Sequence, residues 1–258
     1  MTIALGAHAA RLDAVKELRT KDGRRRQQRF AIEGPTMLRE ALAAGLQFEA
    51  VYATAGAWES FGGEAGGVEA PVYIVPDRTL ARLSDLETPA GIVAVVPQRL
   101  EPPARLFEDG KPLVLLAGIA DPGNAGTLLR SAEIFGLDRA IFGRGSVEPH
   151  NPKVVRATMG ALFRMRTALA DPDEFLEAAR LNHYTIVAAS RQGRPLDGFH
   201  FPERCALAIG NERQGVAGWL PRWDLGVAVP QIGEGESLNA AIAGSIIFYE
   251  LSKRFREN

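Results

Sequence analysis

The stretch "DPGNAGTLLRSAEIFG", residues 121–136, concentrates groups capable of chemistry at the front of one helix. Asn124 carries both donors and an acceptor, and its side-chain oxygen is placed to cap a free backbone N–H of the first turn. Gly126 precedes Arg130 by four residues, so the two share a face. Helical side chains lean toward the N-terminus, which sets the Arg130 guanidinium over the bare Gly126. A cation beside the positive end of a helix suits a phosphate or another anion. Taken singly, each residue also fits a capped helix with a surface arginine. The full set favours the anion-binding reading over that one.

Two further segments carry comparable groups. "IGNERQGV" (209–216) places Gly210, Asn211, Glu212 and Gly215 after an apolar run. Glycines flanking a carboxylate allow close backbone approach to a ligand, and a tight turn with a solvated glutamate gives the same pattern. "VPQIGEGESLNAAIAGSIIFYELSKRF" (229–255) runs through a glycine-containing loop to Ser237, Leu238 and Asn239. The helix that follows has small residues at 240, 241, 243, 244 and 245, so another backbone, helix or ligand can approach it closely. Ser237 reads either as a pocket group or as the N-cap.

These groups need strands to hold them. "PLVLLAGI", "RAIFG", "TIVAAS", "CALAIG" and "LGVAVP" alternate with turns and helices, the pattern of a mainly parallel sheet covered on both faces. Ligands of such sheets bind beyond the carboxyl ends of the strands. The three segments follow three of these runs. Upstream, "FAIEG", "EAVYAT", "VYIVP" and "GIVAVV" alternate with "PTMLREALAAG" and "DRTLARLS", a smaller α/β domain. The proline-rich, charged stretch 98–111 separates the two, giving domains over 1–97 and 112–258.

Composition excludes several classes. The 258 residues are 46% hydrophobic and 24% charged, globular values. No apolar run approaches the ~20 residues of a membrane span. The single cysteine, Cys205, cannot form an internal disulfide, which favours a reducing cytoplasm. Four scattered histidines offer no metal-ligand spacing, so no metal is expected. Dinucleotide, P-loop and nucleophile-elbow motifs are absent. A net charge of −1 leaves nucleic-acid binding to local patches. Residues 11–29 supply one, with eight Lys/Arg against three Asp/Glu and Arg24, Arg25, Arg26 and Arg29 at its core. A solvated helix face has the same composition.

Together the three segments resemble the signature motifs of the SpoU/TrmH family of RNA ribose 2′-O-methyltransferases, within the SPOUT superfamily. "NPKVVRATMGALFR" (151–164) resembles the region between the first and second motifs, with Thr158 in place of a frequent serine. Residues 11–96 resemble the family's substrate-binding domain, an L30-like α/β fold. The resemblance implies a SPOUT catalytic domain with a deep trefoil knot. It implies S-adenosylmethionine bound by Gly210, Val229 and Leu238, with Asn211, Gly215 and Ile232 beside them. Arg130, Asn124, Glu212, Ser237 and Asn239 become the catalytic set. RNA becomes the partner, ribosomal RNA before transfer RNA, with a protein of this fold that binds RNA without catalysis as the other reading. A homodimer through the knot region is implied too, matched by the small and large apolar residues of the last helix.

Overall fold

A computed structural model describes residues 2–4, 10–235 and 237–255. The chain divides into two compact units, Met1–Gln98 with His150–Phe163, and Arg99–Pro149 with Arg164–Asn258.

The first unit has a five-stranded mixed sheet, ordered β1 (Thr2–Ala4), β4 (Val72–Ile74), β3 (Ala50–Ala53), β5 (Ile92–Pro97), β2 (Arg29–Glu33). β5 runs antiparallel to β3 and β2, and β4 is parallel to β1 and β3. Helices α1 (Ala10–Glu17), α2 (Lys21–Gln27), α3 (Pro35–Ala43), α4 (Ala55–Phe61) and α5 (Asp77–Leu83) connect the strands. Leu12, Val15 and Leu18 pack with Tyr52, Tyr73, Val93 and Val95.

The second unit has seven strands, ordered β12 (Leu225–Ala228), β10 (Thr185–Pro195), β11 (Cys205–Gly210), β7 (Leu113–Ala117), β8 (Arg139–Gly143), β9 (Arg166–Ala170), β6 (Leu100–Glu101). Every pair is parallel. β7 and β11 are buried at every position, which is why they read as unbroken apolar runs. Helices α6 (Pro122–Ile134), α9 (Pro172–Leu181) and α10 (Ala240–Ser252) belong to this unit. α10 packs on α6, where Gly244 has no room for a side chain: a Cβ would lie 2.4 Å from Leu128 Cδ2.

Residues 98–111 do more than connect. They add β6 and a tight turn over Pro103–Leu106, and they bury Leu106 and Phe107. The fully buried Arg139 pairs with Asp109 and Asp138, and Arg166 binds Glu101 through two hydrogen bonds of 2.8 and 2.6 Å. Burial of Leu106 and Phe107 together with this charge pairing holds the stretch, and hydrophobic periodicity does not register it.

Helices α7 (Pro152–Ala157) and α8 (Ala161–Arg164) follow β8 in the chain, and residues 150–163 pack with the first unit. There the His150 ring lies 4.5 Å from that of Phe30, and Arg156 pairs with Asp85 at 3.3 Å.

Candidate active site

Because all seven strands run one way, the loops after β10, β11 and β12 leave the same edge of the sheet. Residues 189–192 within β10, the loops after β11 and β12, and the front of α10 enclose a cavity of about 510 Å³. Gly210 ends β11 where the chain doubles back on itself. A Cβ there would fall 2.0 Å from the Gly215 carbonyl carbon, so only glycine closes this loop. Asn211 fastens it, accepting from the backbone N–H groups of Arg213 and Gln214 at 3.0 and 2.8 Å. Gly215 completes it at a φ of 60°.

Gly210, Asn211, Gly215, Val229 and Leu238, read from sequence as cofactor residues, all line this cavity, as do Glu212 and Ser237. Ile232 does not: it is fully exposed in the loop before α10 and outside the lining. The sequence reading missed Ser190, Gln192 and Trp223. β10 continues past "TIVAAS" after a register shift between Ala189 and Arg194, and its polar extension forms part of the wall. The Gly193 within it was the available signal. A Cβ there would meet the Gly226 carbonyl carbon at 2.4 Å.

The first motif joins this site by hydrogen bonds, from outside the cavity lining. Asp121 caps α6, accepting from the Asn124 N–H at 2.7 Å. Asn124 is therefore not the cap, and its side chain is available for other bonds. Its Nδ2 donates to Glu212, and its Oδ1 accepts from Asn239 Nδ2 at 3.0 Å. Asn239, and not Ser237, is the N-cap of α10. Three segments 88 and 115 residues apart in sequence thus meet through side chains.

Arg130 is exposed, with no hydrogen bond or ion pair among the described residues, and it is not part of the cavity lining. Arg24 needs correction. It is 2% exposed and donates to the Leu18 carbonyl at 2.8 Å, so it braces the first unit and is not presented to a ligand. Arg25 and Arg26 are exposed, and Arg26 pairs with Glu17 at 2.6 Å. Arg29 is half-buried and pairs with Glu49 at 2.6 Å. Among the described residues, no group of three or more His, Cys, Asp or Glu could hold a metal ion. None of their helices is long and apolar enough to cross a membrane. Burial pushes the Cys205 thiol up to about 12, leaving it inert at neutral pH.

Residues 111–249 match the model of the SpoU rRNA Methylase family, and residues 10–94 match that of the MRM3-like substrate binding domain. The 23S rRNA (guanosine(2553)-2′-O)-methyltransferase RlmP of Bacillus subtilis is 29% identical over 92% of this chain and 93% of its own. The 23S rRNA (uridine(2479)-2′-O)-methyltransferase of Streptomyces viridochromogenes is 30% identical over 69% of this chain and 66% of its own. The crystal structure of the SpoU methyltransferase AviRb from Streptomyces viridochromogenes, in complex with AdoMet, shares the fold. Its TM-score is 0.85 at 24% identity, covering 97% of this chain and all of that one.

Proposed function

The chain belongs to the SpoU rRNA methylase family, and from that premise we propose that it is an S-adenosylmethionine-dependent methyltransferase. Its target is a ribose 2′-hydroxyl of RNA, with ribosomal RNA the substrate class. One observation carries the reading: Asn124, Glu212 and Asn239, one from each motif, are bonded together where Glu212 borders the cavity.

The residues present fit the cofactor. A cavity of about 510 Å³ has the size of a small-molecule site. Val229, Leu238 and Ile247 offer it apolar walls, and Asn211, Gln231 and Ser190 offer hydrogen bonds. When bound, S-adenosylmethionine supplies an electrophilic methyl group on a sulfonium. Gly210, Asn211, Gly215, Val229 and Leu238 would hold it. Glu212, Asn124, Asn239 and Ser237 would orient the hydroxyl, a weak nucleophile that needs positioning. Arg130 would hold the adjacent phosphate and stabilise negative charge developing on oxygen. An arginine is a poor base because it stays protonated.

The functional assembly is a homodimer. Ile242, Ile246 and Tyr249 recur on one exposed face of α10, and Ile134 of α6 is 63% exposed. Gly244 is not part of that face, since it already packs on Leu128 of its own chain. Arg130, exposed and without a partner among the described residues, is then available to the other subunit's site. The knotted threading has support in α10, which follows the edge strand β12 yet packs on α6 and β11. A reduced Cys205 fits the cytoplasm. Mapping 2′-O-methylation across total RNA with and without the gene tests the activity, and an unchanged map refutes it.

A further inference from the structure

Asn239 Oδ1 accepts from two backbone donors, Ala241 N at 2.9 Å and Ile242 N at 3.2 Å. The other end of that amide is an NH₂ group, which only donates. It is this group that meets Asn124, so Asn124 must turn its oxygen toward it. The amide of Asn124 then has only its own NH₂ left, and that faces Glu212 Oε1. The backbone of Asn124 is already anchored by Asp121, which leaves rotation of the amide as the one freedom to be settled. Three side chains thus form a hydrogen-bond chain with a single permitted direction, running from the α10 N-terminus to the carboxylate. Among the described residues, Glu212 Oε2 has no donor.

We infer that Asn239 is a positioning residue that acts through Asn124 to fix Glu212 as an acceptor, leaving its second oxygen for the substrate hydroxyl. The inference rests on the methyltransferase reading, and it separates two roles of Asn239, capping and direction-setting. Asn239→Asp divides them. Aspartate caps as well as asparagine but has no hydrogen to donate. Asn124 must then swing its NH₂ toward residue 239, which sets its oxygen against that of Glu212. Glu212→Gln supplies the missing donor and restores the chain with its direction reversed.

The experiment is a four-member set: the full-length protein, N239D, E212Q and N239D/E212Q. N239D should keep its cofactor affinity by calorimetry, while kcat on RNA falls about tenfold or more, as expected for a misdirected hydrogen bond. In thermal melting N239D should lose stability, E212Q should hold it because its amide oxygen still accepts from Asn124, and the double variant should recover above N239D. Additive losses, or N239D with wild-type kcat, would overturn the inference and leave Asn239 as a cap alone. If the wild-type protein methylates no RNA, the enzymatic reading fails, and the melting cycle still decides whether the directional chain exists.

Discussion

Asn124 and Arg130 lie six residues apart on α6, about 120° apart around it, and have opposite surroundings. Asn124 is bonded to Glu212 and Asn239, whereas Arg130 is exposed and bonded to nothing described. The first belongs to the site of its own chain. In the proposed dimer the second would serve the site of the other subunit. Arg130→Ala should reduce methyl transfer at least about a hundredfold with cofactor binding intact, the scale of losing one stabilising donor. Mixed dimers of R130A and E212Q subunits should regain activity, because one site per dimer then combines an intact Arg130 with an intact Glu212. Inactive mixed dimers would place Arg130 in its own subunit's site.

RNA capture should depend on Arg25, Arg26 and the half-buried Arg29, and not on the buried Arg24. Neutralising Arg25, Arg26 and Arg29 to glutamine should weaken RNA binding and lower its salt slope by about 0.7 to 0.9 for each phosphate no longer neutralised. Arg24→Gln should instead lower the melting temperature and leave the slope of the folded protein unchanged, because its guanidinium holds the Leu18 carbonyl. Filter binding across a salt series separates the two outcomes.

Acid should loosen the first unit through His150. Burial, reinforced by the positive charge of Arg24, pushes its imidazole down from 6.5 to about 3. The folded unit holds it neutral, while the unfolded chain takes up a proton as pH drops below about 6.5. This contribution is complete above that pH and is lost progressively toward pH 3, at up to about 1.4 kcal/mol per pH unit. His150→Phe should flatten denaturant-derived stability between pH 6 and 4 by about that slope. An identical acid profile in the variant would show that His150 is not held neutral.

The seam between α6 and α10 should tolerate no added volume. Gly244→Ala brings a methyl group within 2.4 Å of Leu128, and overpacking of this kind costs about 1 to 3 kcal/mol. Gly244→Leu should cost more and displace the α10 N-terminus that carries Asn239. Melting and cofactor calorimetry should fall together in the leucine variant. Unchanged melting in both variants would mean the helices separate freely.

What the sequence by itself determined is local. Apolar runs placed the central strands β7, β8 and β11, because strands buried on both faces have no polar positions to interrupt the pattern. Glycines at 210 and 215 marked a backbone doubling back, since few other residues can make that turn. The polar groups following each run marked the edge where the cavity lies. Through-space pairing was decided only by the tertiary structure. Nothing in "RRRQQR" distinguishes Arg24 from its neighbours until the chain folds and the Leu18 carbonyl faces its guanidinium. Asn124 reads as a helix cap until Asp121, three residues earlier, accepts the backbone N–H instead and releases its amide to Glu212 and Asn239. Residues 98–111 read as a connector until Arg139 and Arg166 pull their acids onto the sheet. Propensity and periodicity act over a few residues, while a side chain's partner is chosen by whatever the fold brings within hydrogen-bond reach.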